Sequence, residues 1–167
     1  MVPPVLGYLV LGDTPDDAAR WLAMARRVET STNLVAASEH EAREIISTCN
    51  TLIVVRADDN GNYDDVGYMA YRLLPSGEEP AETVYLAEFA VAPEFRGRGF
   101  GTQALQALID TLHRQGIPRC TLMTHPENTG ALGLYHKLGF AETGRRDDNY
   151  ENSGTPRIEL LKLIAGT

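Results

Sequence analysis

YLAEFAVAPEFRGRGFGTQALQALIDTLHRQG, Tyr85–Gly116, is the stretch from which the fold can be read. Tyr85–Val91 is an apolar, strand-like run closed by Pro93. Within Thr102–Arg114, Leu105, Leu108, Ile109 and Leu112 recur at helical spacing, and Gly116 supplies a stop signal. The glycine-rich turn Arg96–Gly101 therefore joins a strand to the start of a helix. Backbone N–H groups without intrahelical partners, and the positive end of the helix dipole, point outward at such a place, which makes it an anion site. Gly97, Gly99 and Gly101 let an anion approach the backbone, while Arg96 and Arg98 add charge. A phosphate or pyrophosphate is the expected guest. The plainer alternative is a glycine-rich turn with two solvated arginines.

Two common phosphate loops fit this stretch poorly. A dinucleotide fingerprint reads G-x-G-x-x-G in the first strand–helix unit. Here the order is G-x-G-x-G, with Thr102 where the third glycine belongs, and the loop lies past the midpoint of the chain. A Walker loop needs Gly-Lys followed by Ser or Thr, and no Gly-Lys pair follows.

VAPEFRGRGFG, Val91–Gly101, instead resembles the coenzyme A pyrophosphate loop of the Gcn5-related N-acetyltransferase (GNAT) superfamily, R-x-x-G-x-G after a strand ending V-x-P. HPENTGALGLYHKLGF, His125–Phe140, is similar to that family's later motif, in which an asparagine precedes a short helix carrying a tyrosine and ending in Gly-Phe. Asn128, Ala131, Tyr135, Gly139 and Phe140 stand at the family spacings. The two motifs occur in the family's order, separated by one helix and one strand, Cys120–Thr124. The resemblance is specific from about Thr83 to Phe140, and upstream only the order of elements matches.

At 167 residues with 43% hydrophobic content, the chain suits one globular domain, 1–167. The amino-terminal MVPPVLGYLVLGD has no basic start, and its apolar run is too short for a secretion signal or membrane span, so a cytoplasmic protein is expected. Cys49 and Cys120 do not make a disulfide framework, and Cys120, leading an apolar strand, is expected in the core. His40, His113, His125 and His136 show no zinc spacing, so no metal is expected. The net charge of −8 argues against nucleic acid or anionic lipid as a partner. Acidic residues cluster at Asp58–Asp65, Glu78–Glu82 and Asp147–Glu151. They read as solvated loops, with steering of a cationic amine as the sharper alternative. A homodimer is left open.

Val5–Leu11 reads as a first strand. Thr14 can cap the following helix, with Pro15 at its first position, Asp17 three residues after the cap, and an apolar stripe of Trp21, Leu22, Ala25 and Val28. A polar stretch, Glu29–Ala37, leads to Ser38 and Glu41, a capping-box pattern for a second helix from Glu39 to about Ser47 that buries Ala42, Ile45 and Ile46. Leu52–Val55 and Val66–Arg72 look like a hairpin around DDNGNYDD, and Thr83–Val91, Cys120–Thr124 and Arg157–Leu163 supply later strands. Tyr85–Val91 and Cys120–Thr124 should be parallel through a right-handed crossover.

The resemblance implies an α/β (α+β) GNAT fold, a mixed central sheet of about six to seven strands with about four helices on both faces. In that family the two strands splay apart and the pantetheine arm enters the gap. It implies an N-acetyltransferase that moves an acetyl group from acetyl-CoA to a primary amine by direct transfer in a ternary complex. Backbone amides of Gly97, Arg98, Gly99, Phe100, Gly101 and Thr102, helped by Arg96, would hold the pyrophosphate. Phe89, Ala90 and Val91 match the strand residues that bind pantetheine, with the Val91 amide polarising the thioester carbonyl. Asn128 would hydrogen-bond the pantetheine arm, although an asparagine before a helix is also an ordinary N-cap. Tyr135 would give the leaving thiolate its proton, the alternative being an aromatic packed beside Leu132, Leu134 and Leu138. Neither cysteine matches a catalytic position.

The base is less well marked. Glu88 alternates with Phe89 and Val91 and so faces opposite to them. Relatives carry an acid near here that deprotonates the amine, while binding of a substrate ammonium is the rival role. In the ribosomal-protein and peptide N-terminal acetyltransferases the strand before the asparagine carries a Glu or His base at the position of Met123, and a thioether cannot take that proton. His125, two residues on, shares its face and is a candidate substitute. Arg145-Arg146, Asn149-Tyr150 and RIELLKL are similar to the tail of the ribosomal-protein alanine N-acetyltransferases, where tyrosines line the peptide site. Asp147-Asp148 interrupt that pattern, leaving Tyr150 as a tentative substrate residue, with an ordinary polar hairpin loop as the alternative. An α-amine near 7.7–8.0 needs less base than a lysine near 10.4, which leans toward α-amines, with small amines, amino acids and antibiotics still open. From other classes, a non-catalytic acyl-CoA-binding sensor and a domain for another nucleotide also stand.

Overall fold

Residues 6–32, 38–146 and 156–164 are described by the structure, a computed structural model. In chain order the elements are β1 (Leu6–Val10), α1 (Pro15–Thr32), α2 (Glu39–Thr48), β2 (Asn50–Ala57), β3 (Tyr63–Leu73), β4 (Thr83–Val91), a short 3-10 turn (Pro93–Phe95), α3 (Phe100–Arg114), β5 (Arg119–Thr124), α4 (Thr129–Lys137), β6 (Ala141–Arg146) and β7 (Arg157–Leu163). Among the described residues the strands form one mixed sheet in the order β1-β2-β3-β4-β5-β7-β6. The β4–β5 pair is parallel, from Thr83↔Arg119 to Leu86↔Leu122, as the strand–helix–strand order predicts. The chain gathers into two compact units, one of Met1–Arg72 with Ala87–Ala104 and one of Leu73–Leu86 with Leu105–Thr167.

The first unit is organised by its helix starts. The Asp17 N–H donates to Thr14 Oγ1 at 3.1 Å, and the Asp17 carboxylate accepts the Gly12 N–H at 2.8 Å, so the cap fixes both the helix and the loop before it. Behind the cap, Trp21, Met24 and Val28 are almost wholly buried, and the Trp21 ring meets Tyr68 of β3 edge-on at 4.6 Å. Ser38 and Glu41 form both halves of the expected capping box at the start of α2. On α2, Ala42 and Ile46 are buried while Ile45 is only half-buried. The β2–β3 hairpin is longer than the apolar pattern suggests, because polar Asp64 and Asp65 still pair with Arg56 and Val55. Its turn is built by Asp58, whose Oδ1 accepts the N–H groups of Asn60 and Asn62 at 2.8 Å each, with Gly61 at φ 81°.

In the second unit the apolar stripe of α3 is buried as expected, with Leu105 and Leu112 fully inaccessible. Burial of each contributes about 1.5–3 kcal/mol. Gly116, at φ 73°, donates to His113 O at 3.0 Å and Ile117 N–H to Leu112 O at 2.9 Å, closing the helix. Strand β5 pairs antiparallel with β7, Thr121 Oγ1 donating to Leu160 O at 3.0 Å. Cys120 is fully buried, and burial pushes its thiol up to about 12, so it is a core residue. A bulge between Glu142 and Gly144 interrupts the β6–β7 ladder. No helix among the described residues is long and apolar enough to cross a membrane.

Candidate active site

The first unit carries the strand–turn–helix segment. Ala92 N–H bonds Val66 O at 2.8 Å, anchoring the end of β4 to β3. The chain then makes its 3-10 turn, with Phe95 N–H on Ala92 O at 2.9 Å. Gly97 and Gly99 follow at φ 73° and 82°, a region that side-chain-bearing residues rarely adopt, and a Cβ at either would meet nothing within 4 Å. Helix α3 begins at Phe100, inside the glycine run and two residues earlier than the apolar pattern places it. Gln103 N–H closes the first turn on Gly99 O at 3.0 Å. The N–H groups of Phe100, Gly101 and Thr102 therefore lack intrahelical carbonyls, and they sit at the positive end of a 15-residue helix. Such a cradle of amides is suited to an anion.

Aromatic packing pins the cradle. Phe95 and Phe100, both buried, meet edge-on at 6.0 Å. The Arg98 guanidinium lies 5.7 Å from the Phe95 ring centroid. Arg56 of β2, which sequence reading missed, lies 4.9 Å from Phe95 and 5.9 Å from Phe100 and pairs with Asp64 at 3.3 Å. Nothing local marks Arg56; only the sheet brings β2 to the turn. Arg96 does something the sequence did not indicate: its Nε donates to Val91 O at 2.9 Å, bracing the turn against its own strand. A second brace comes from α1, where Arg27 bonds Asp65 O at 3.1 Å and pairs with Glu94, while Arg20 grips Asp65 with two hydrogen bonds. Glu88 is half-buried on β4, and burial pushes its carboxyl up to about 7. Phe89, Ala90 and Val91 are half-buried beside it.

The second unit carries the β5–α4 segment. Asn128 is the N-cap of α4, its side chain accepting from Ala131 N–H at 3.4 Å, so the plain capping role is realised. Tyr135 is buried, its ring edge-on to Phe140 at 5.8 Å. Gly139, at φ 89°, turns the chain so that Phe140 N–H reaches Tyr135 O at 3.0 Å. His125 accepts the Glu127 N–H on Nδ1 at 3.1 Å. Glu88–Val91 and Arg96–Thr102 thus share one segment, and His125, Asn128 and Tyr135 share another. Tyr150, with Asn149 and Asp147-Asp148, lies outside the described residues. Among the described residues no group of three or more His, Cys, Asp or Glu side chains could hold a metal ion.

The family model described as "Acetyltransferase (GNAT) family" matches residues 18–140, more than half of the chain. N-alpha-acetyltransferase 30 of Schizosaccharomyces pombe is 34% identical over 77 residues, 46% of this chain and 51% of its own length. The [Ribosomal protein bS18]-alanine N-acetyltransferase of Salmonella typhimurium is 38% identical over 65 residues, 39% of this chain and 44% of its own length. The chain spans about half the length of these curated relatives. Among solved structures, the NatC complex bound to Gag peptide and CoA contains a chain that superposes with a TM-score of 0.72 at 20% identity, covering 96% of this chain and 99% of that one. At that identity the likeness shows the fold alone.

Proposed function

This chain belongs to the GNAT acetyltransferase family, and on that premise we propose that it transfers an acetyl group from acetyl-CoA to a primary amine by direct attack in a ternary complex. The observation that carries the reading is the cradle of Phe100, Gly101 and Thr102 amides at the start of α3, framed by Arg96 and Arg98. The pyrophosphate of the coenzyme sits there, and Phe89–Val91 line the pantetheine arm, with Asn128 donating its side-chain amide. The amine nitrogen attacks the thioester carbonyl carbon. The oxyanion that forms is held by the Val91 N–H, an electrostatic device that works best where water is excluded. The C–S bond then breaks, the sulfur keeps the electron pair, and the Tyr135 hydroxyl gives it a proton. The amine's own proton leaves to Glu88, through water. A carboxyl near 7 is well matched to that task at neutral pH, because it is ionised often enough to accept and basic enough to hold the proton.

The acceptor we favour is an α-amine at a peptide N-terminus. Two relatives are, by name, an N-alpha-acetyltransferase and a ribosomal-protein alanine N-acetyltransferase, and the Arg145-Arg146 tail fits. An α-amine also titrates low enough to need only a modest base. The test is thiol release from acetyl-CoA against peptide N-termini, polyamines with amino acids, and aminoglycosides, each beside a Tyr135→Phe control. Release in the peptide pool that falls about tenfold or more in the control, with acetyl-CoA still bound, is the expected result. Silence in every pool with acetyl-CoA bound would favour a non-catalytic sensor. Silence without binding would overturn the reading.

A further inference from the structure

Arg56 and Asp64 are directly opposed across the β2–β3 pair, so their side chains leave the sheet on the same side. Asp64 Oδ2 accepts from Arg56 Nε and lies equally close to Nη2, at 3.3 Å each. The guanidinium so held, with 27% of the side chain exposed, lies 4.9 Å from the Phe95 ring centroid and 5.9 Å from that of Phe100. A cation within about 6 Å of a ring is drawn to it, and more strongly as water is withdrawn. Both rings are buried. The Phe95 ring also meets the Arg98 guanidinium, at 5.7 Å. Two cations against one ring repel each other, and the Asp64 carboxylate offsets the charge of one of them.

The two rings stand at the two ends of the glycine turn. Phe95 ends the 3-10 turn before it, and Phe100 opens α3 and supplies one of the three orphan amides of the cradle. Between them Gly97 and Gly99 leave the backbone free to take many conformations, so the shape of the cradle depends on how its ends are held. Arg56 touches both ends at once, from a neighbouring strand of the same compact unit. Asp65, next along β3, points to the other side of the sheet, where Arg20 grips it. Adjacent acids that read as solvated loop are thus both engaged. We infer that Arg56 is a positioning residue for the coenzyme: seated by Asp64, it clamps Phe95 and Phe100 and so sets the amides that hold the pyrophosphate. This rests on the acetyltransferase reading above and extends it to what keeps the cradle in shape.

The experiment is calorimetric titration of acetyl-CoA into the wild type, Arg56→Leu, Asp64→Asn, Phe95→Leu and the double variant Arg56→Leu with Phe95→Leu, with the melting temperature of each taken without ligand. Arg56→Leu should raise Kd about fivefold, the size of one partly desolvated cation–π contact. Asp64→Asn separates positioning from plain charge. By charge alone, removing a carboxylate near the cradle would tighten the binding of an anion. Loss of the seat for the guanidinium should instead raise Kd about threefold. In the Phe95→Leu background, Arg56→Leu should add less than about twofold, because the two residues act through one contact. An unchanged Kd in Arg56→Leu overturns the inference, whatever its melting temperature does. So does tighter binding by Asp64→Asn, which would make Arg56 a cation for the phosphate itself. Should Phe95→Leu fail to fold, the sign of the Asp64→Asn effect still decides. A wild type that does not bind acetyl-CoA overturns the acetyltransferase reading and this inference together, and that result is distinct from a wild type that binds while the variants are indifferent.

Discussion

Gly67 on β3 approaches β4 so closely that a Cβ there would lie 2.6 Å from the carbonyl oxygen of Ala90. The obstructing atom belongs to the backbone, so no rotamer change relieves it. Next to it, Ala92 N–H is already held by Val66 O at 2.8 Å. The end of β4 thus comes as close to β3 as it does because the facing strand has a glycine there.

Gly67→Ala should therefore push Ala90–Val91 away from β3. The expected cost in stability is about 1–3 kcal/mol, as for other overpacked sites, read by thermal or denaturant unfolding. Acetyl-CoA affinity, read by calorimetry, should fall with it. Undiminished affinity would show that the approach of the two strands does not set the pantetheine contacts.

Arg96 Nε is bonded to Val91 O at 2.9 Å, which leaves the rest of the guanidinium for a phosphate. A lysine keeps the charge but has no guanidinium fork to make that bond in the same place. Arg96→Lys should weaken acetyl-CoA binding nearly as much as Arg96→Ala, by about tenfold, the size of one hydrogen bond from a charged donor. A lysine variant that binds like the wild type would mean that charge alone is what counts.

Glu88 titrates near 7 because burial disfavours its ionised form, against an ordinary value of 4.5. With Glu88 as the base, kcat/KM should rise with pH up to about 7 and then level off, and Glu88→Gln should lose that limb of the profile. Stability follows the opposite course. Between 4.5 and about 7 the unfolded chain gives up this proton more readily than the folded one, so stability is fullest below 4.5 and is lost as pH rises through about 7. Glu88→Gln removes that dependence, so its melting temperature should gain on the wild type as the pH is raised across this range.

Asn128 caps α4 through its side-chain oxygen, which leaves the amide NH2 as the group for a ligand. Asn128→Asp keeps a capping oxygen and adds favourable charge at a helix N-terminus, so the fold should be no less stable. Its KM for acetyl-CoA should rise several-fold, since the amide donor is gone. Asn128→Ala should lose about 1 kcal/mol of stability as well. An aspartate variant with normal KM would reduce Asn128 to a cap.

Signals that act over a few residues are legible in the sequence. Ser38 with Glu41, and Thr14 with Asp17, are capping patterns that work inside one turn of helix, and both appear in the structure. The spans of β4 and β7 also agree with their apolar patterns, because a strand with a buried face must alternate or run apolar. Helix α3 starts two residues before its apolar pattern does, since Phe100 and Gly101 carry no helical periodicity of their own. The hairpin outruns its apolar pattern for a similar reason, as acidic residues at its end pair through backbone atoms that composition does not reveal.

The sequence by itself determined the strand–glycine turn–helix segment and the family, because turn geometry and orphan amides depend only on neighbours along the chain. Tertiary structure alone decided that Arg56 reaches the Phe95 ring, that Arg96 turns back to Val91, that Gly67 must be small, and that Glu159 stands beside Met123. The Arg56, Gly67 and Glu159 relationships are set by strand register, and that of Arg96 by the turn that brings it back to its own strand. A shift of one residue in register would turn Arg56 and Glu159 to the opposite face, and no stretch of sequence read alone carries that number.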